Sequence, residues 1–192
     1  MPIAYELAPV IATPSPSVSP AARRRDPIFE PREFDSTSKE RLVAITFDEA
    51  SIRRGNSNIE HEREVAVFDI LEGNRFALDS REGGPYKLNL SIVEDRLVFA
   101  VAQDGSDDAF TFVLSLTPLR RIIKDYFVLC ESYYQATRTA PPSRIQSIDM
   151  GRRALHEEGA NVLVERLKRK ITVDGDTARR LFTLICALHS KG

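Results

Sequence analysis

Tryptophan is absent from this chain, cysteine occurs twice and histidine three times, and no apolar run approaches the roughly 18 residues of a membrane span. Each scarcity excludes something. Two cysteines cannot build the disulfide framework of a small secreted domain. Cys130 and Cys186 each sit on the apolar side of a predicted helix, where a free thiol packs as a small hydrophobe, and a reducing compartment fits best. The opening residues carry Glu6 and several prolines where a signal peptide needs an uninterrupted apolar core, so the expected location is the cytoplasm. His61, His156 and His189 fall one to each of three predicted helices, without the i, i+4 pairing of H-E-x-x-H, and read as solvated surface; no metal or cofactor is expected. There is no G-x-S-x-G elbow and no glycine-rich phosphate loop. Adjacent acids such as Glu157-Glu158 and Asp107-Asp108 do not face one another.

Charge of one sign is also missing overall. The net charge is −1, but residues 41–116 carry 8 basic and 14 acidic groups and residues 117–192 carry 14 and 8. The two halves should attract. Because the positive half can be neutralised by the chain's own acids, nucleic acid is not an expected partner. Arg166, Lys168, Arg169 and Lys170 cluster where cations suit a helix C-terminus, and Tyr126, Tyr133 and Tyr134 lie on an apolar stripe.

What is present is a clear division. Seven of the eleven prolines lie within the first 31 residues, which predicts a disordered proline-rich tail over 1–40 and a single domain over 41–192. The strongest element is a helix over 117–137, opened by Thr117 as cap and Pro118 at the first turn. Leu119, Ile122, Ile123, Tyr126, Phe127, Cys130, Tyr133, Tyr134 and Thr137 recur along one side of it, and burial is expected for that whole side.

Before it, Leu42 to Phe47 reads as a strand, and Asn58 as the cap of a helix over 59–73. A short strand over 75–79 and three better strands follow, turned at Glu94-Asp95 and Asp104-Gly105. After Pro141-Pro142 a long helix begins at Ser143, with Gly151 and Gly159 near its inner side; a last helix begins at Asp176. The expected fold is α+β: an antiparallel sheet of about four to five strands against a three-helix C-terminal layer, plus one N-terminal helix.

The segments KDYFVLCESYYQA (Lys124 to Ala136), IDMGRRALHEEGA (Ile148 to Ala160), DTARRLFTLIC (Asp176 to Cys186) and GGPYKLNLS (Gly83 to Ser91) resemble those of an uncharacterised alphaproteobacterial protein family with no assigned function. The resemblance covers about residues 41–190 and leaves the tail outside. It implies no catalytic residue.

One local rule is broken. First turns of helices favour acids, yet Arg120-Arg121 open one predicted helix and Arg179-Arg180 another; Arg152-Arg153 lie in the helix between. Arginine beside exposed amide donors can hold an anion. Self-neutralisation by acids such as Asp79 or Glu94 is the competing account. The expected function is a non-enzymatic binding or interaction protein that takes a protein partner or an anionic ligand through these arginines. The alternative is an enzyme on a phosphorylated or carboxylated small molecule, with His61, Glu60 or Asp48 as the acid-base group.

Overall fold

The computed structural model describes residues 38–52, 54–80 and 82–189, so the expected tail lies outside the described residues as far as position 37. In order the elements are β1 (Leu42–Phe47), α1 (Ser57–Glu72), β2 (Phe76–Leu78), β3 (Tyr86–Val93), β4 (Arg96–Gln103), β5 (Ala109–Ser115), α2 (Thr117–Thr139), α3 (Pro142–Leu167), β6 (Ile171–Val173) and α4 (Gly175–His189). The fold is α+β.

β3, β4 and β5 form an antiparallel meander, and β1 completes a four-stranded sheet in the order β1-β3-β4-β5. β1 runs parallel to β3. An antiparallel partner would need only a tight turn, but α1 and β2 intervene between β1 and β3 and supply the crossover that parallel pairing requires. The short strand at 76–78 belongs to a second sheet, paired antiparallel with β6, which periodicity did not reveal because three residues carry no period.

Alternation sorts the sheet into two faces. Tyr86, Leu88 and Leu90 of β3, Leu97, Phe99 and Val101 of β4, and Phe112 and Leu114 of β5 are buried on one side. Phe99 and Phe112 stack there, with ring centroids 4.8 Å apart. The helices cover this side. α4 is the most deeply set, with ten buried residues that include Leu181, Phe182, Ile185 and Cys186.

All four helix starts differ from expectation by a residue or two, with α3 opening at Pro142 and α4 at Gly175, each one residue early. Asn56, not Asn58, caps α1, its side chain accepting from the amides of Asn58 and Ile59. Thr117 is already helical, and Leu116 before it offers no side-chain cap.

α2 and α3 form an antiparallel hairpin joined at Ala140-Pro141. At 1.5 Å per residue each helix is about 35–39 Å long, more than the sheet beneath can cover. The consequence is visible in α2. Leu119, Ile122, Ile123 and Tyr126 are buried, whereas Phe127, Cys130, Tyr133 and Tyr134, on the same predicted stripe, are only half-buried and Thr137 is exposed. α3 mirrors this, with Gly159, Ala160, Leu163 and Leu167 buried and Ile145, Ile148 and Leu155 half-buried. The hairpin has a root packed on α4 and a tip that only its own two helices cover.

Candidate functional site

The three arginine pairs are not held alike. Arg120 pairs with Asp95 of the β3–β4 turn at 2.6 Å, and Arg121, 92% exposed, lies 3.6 Å from Asp125 on its own helix. Arg152 and Arg153 share Asp149, each at 2.8 Å. Arg179 spans Glu157 at 3.0 Å and Asp176, and Arg180 donates to the carbonyl of Gly73. That carbonyl ends α1, where a cation meets the negative end of the helix dipole. Each of the six therefore has an acceptor within the chain. The expected attraction between an acidic and a basic half accounts for Arg120–Asp95; Arg180 also reaches the other half, but at a backbone carbonyl, and the remaining carboxylate pairs just named are local to the basic half.

Two of the pairs meet around a residue that the sequence placed at the surface. His156 of α3 is largely buried between the rings of Tyr126, 5.6 Å away, and Phe182, 5.4 Å away, and its Nε2 lies 2.8 Å from Thr183 Oγ1. Burial, reinforced by the charges of Arg179 and Arg152, pulls the imidazole down to a pKa of about 4. It is neutral near pH 7. Arg152 lies over the Tyr133 ring at 5.2 Å. Burial raises the Tyr126 hydroxyl and the Cys186 thiol well above their ordinary values and also raises the Cys130 thiol, so none is a ready nucleophile. The cluster is a polar seam between packed helices, with its reactive groups held in their uncharged forms.

The acid-base candidates of α1 and its approach are engaged locally. Asp48 accepts from the Ser51 amide at 3.1 Å within the turn that follows β1. Glu60 pairs with Arg63 at 2.8 Å and accepts from the Gly55 amide at 2.6 Å, and His61 is exposed on α1. Among the described residues no group of three or more His, Cys, Asp or Glu is placed to hold a metal ion.

A cavity lies elsewhere, at the hairpin tip. An open groove of about 480 Å³ runs between α2 and α3, lined by Leu129, Ile148 and Gly151 below and by Ser143, Ser147 and Arg144 at its rim. Gly151 keeps the floor low, since a Cβ there would come within 3.2 Å of Leu129 Cδ1. Arg144 has no carboxylate partner among the described residues. Sequence reasoning missed it while looking for arginine pairs, although Arg144 is the third residue of α3 and so also a cation in a first turn.

Residues 39–191 match the uncharacterised protein family UPF0262. The chain belongs to that family. A UPF0262 protein of Brucella canis is 56% identical over 153 residues, spanning 79% of this chain and 95% of the relative. One of Nitrobacter winogradskyi is 53% identical over 162 residues, spanning 84% and 96%. No solved structure matches. The UPF0262 match starts one residue inside the described part of the chain, so both the helical seam and the groove lie within the family's shared region.

Proposed function

We propose that this UPF0262 protein is a non-enzymatic interaction protein of the cytoplasm that seats an acidic, partly apolar segment of a partner protein in the α2–α3 groove. The observation that carries this reading is the contrast between Arg144 and the six paired arginines. Arg144 stands at the rim of an apolar trough with no carboxylate partner among the described residues, which leaves it available to a partner carboxylate. The trough supplies the apolar contact, through Leu129, Ile148 and the bare backbone at Gly151, and Ser143 and Ser147 supply hydroxyls at its edge. The neutral imidazole and thiols beneath argue for packing, not turnover. An anionic group is thus recognised as a side chain on a larger apolar surface, the arrangement in which a single cation orients a partner that burial holds.

The test is photo-crosslinking in native cells from a reactive group at Ser147→Cys. The expected result is one dominant adduct whose crosslinked peptide is acidic and which disappears in an Arg144→Glu background. Adducts spread over many proteins, or a dominant adduct indifferent to Arg144→Glu, would defeat the proposal.

A further inference from the structure

We propose that β5 is a dimerisation edge, along which two copies of this chain join their sheets into one of eight strands about a twofold axis. This goes beyond the groove reading and does not rest on it. The inference comes from comparing the two edges of one sheet. Unpaired strand edges are hazards that folds blunt with charges, prolines, bulges or covering groups. The β1 edge is blunted twice. Its register breaks between Leu42 and Ala44, and the side chain of Asn74 stands in for a neighbouring strand, accepting from the Leu42 amide at 2.7 Å and donating to the Leu42 carbonyl at 3.1 Å. Among the described residues the β5 edge has none of these devices. Its seven residues, AFTFVLS, contain no charge and no proline, and they pair with β4 without a register break. Lys170 lies over the ring of Phe112, a buried residue on the core side of the strand.

The hydrogen-bond phase shows which groups are unused. Asp104 N donates to the Pro85 carbonyl at 2.8 Å, so Tyr86 and Gln103 face each other without exchanging bonds. In an antiparallel ladder the exchange then alternates, and Arg96, Val98, Ala100 and Ala102 point their amides and carbonyls at β3. Leu97, Phe99 and Val101 point theirs at β5, where they meet Leu114, Phe112 and Phe110. The groups of Ala109, Thr111, Val113 and Ser115 are left facing outward, on residues that are exposed or half-exposed.

A second copy fits this edge better than a foreign strand because the flanks are self-complementary. An antiparallel pair centred on Phe112 sets Thr111 against Val113 of the partner subunit and meets no like charge along its length. The same register carries Asp107 and Asp108, at the start of β5, to the first turn of the partner subunit's α2. That turn holds the positive end of a helix dipole and is followed by Arg121, which is 92% exposed and only loosely paired. Arg121 then has a partner beyond its own helix. Growth stops at two because the β1 edges are closed.

The experiment is sedimentation equilibrium of the full chain from low to high micromolar concentration. The expected result is a monomer–dimer equilibrium, with the mass doubling and going no higher. Val113→Pro removes an outward amide without touching the β4 ladder, and Thr111→Lys adds a charge to the edge; each should give a monomer with unchanged circular dichroism. Asp107→Arg with Asp108→Arg should weaken association at least tenfold. A wild-type chain monomeric throughout, assembly beyond two, or a dimer that survives Thr111→Lys would overturn the proposal.

Discussion

The root and the tip of the α2–α3 hairpin are made of the same two helices, with similar stripes of leucine, isoleucine and tyrosine, yet they differ in what lies beneath. At the root, α4 and the sheet close over Leu119, Ile123, Leu163 and Leu167, all within 1% of complete burial. At the tip, Val128 and Met150 are 58% and 65% exposed and a groove opens beside Leu129. Two glycines eight residues apart on α3 mark the contrast. A Cβ at Gly159 would stand 2.3 Å from the Phe182 ring, whereas one at Gly151 would meet a single mobile methyl at 3.2 Å. Apolar periodicity therefore marks a face that can be buried; whether it is buried depends on the layer available to cover it.

The sharpest way to break the comparison is Gly159→Ala. Phe182 is fully buried between Tyr126 and His156 and cannot swing aside cheaply, so the substitution should cost about 3 kcal/mol despite the better helix propensity of alanine. Urea denaturation reads this directly, and an unchanged midpoint would mean that the root is not packed as described.

His156 should give the next largest effect. Its folded pKa of about 4 lies below the ordinary 6.5, so protons bind the unfolded chain more readily. The contribution is complete above pH 6.5 and is lost as pH falls through the interval down to about 4, by at most about 3 kcal/mol. His156→Gln should flatten that part of the stability profile. If wild type and variant lose stability in parallel across this interval, the imidazole is not buried as neutral.

The cysteines should separate on the same axis. Cys186 lies in α4 and is 1% exposed, so it should react with a thiol reagent only at the rate of unfolding. Cys130, half-buried on α2 with its thiol raised by burial, should react slowly but without unfolding. Equal rates for the two, measured by mass spectrometry of the labelled native protein, would remove the distinction between root and tip.

The smallest effect should have the opposite sign. Gly151→Ala gains helix propensity and displaces only the end of Leu129, so it should stabilise by up to about 1 kcal/mol. A loss comparable to that of Gly159→Ala would show the tip to be as tightly packed as the root.

Much of the fold was legible in the residues alone. The 3.6-residue stripes located α2, α3 and α4, whereas in α1 Val65 and Phe68 are 37% and 65% exposed while Arg63, Ala66 and Ile70 are buried. Alternation located β3, β4 and β5, and Glu94-Asp95 marked a turn whose two residues do take positive φ, 48° and 60°. Arg120, the fourth residue of α2, does break helix charge preference, whereas α4 opens with Asp176 in its first turn and sets Arg179 and Arg180 in its second, so the expected breach there is not found. What the chain could not state by itself is every relation between distant residues. The parallel pairing of β1, the β2–β6 sheet, the Asn74 cap on Leu42 and the meeting of Arg152 and Arg179 at His156 each join positions separated by dozens of residues. Periodicity is blind to them because it records only which face of an element is apolar. Arg144 illustrates the limit. Its place in a first turn was local information, but the open trough beside it, and its lack of a carboxylate partner among the described residues, follow from α2 and α3 outrunning the sheet that covers their roots.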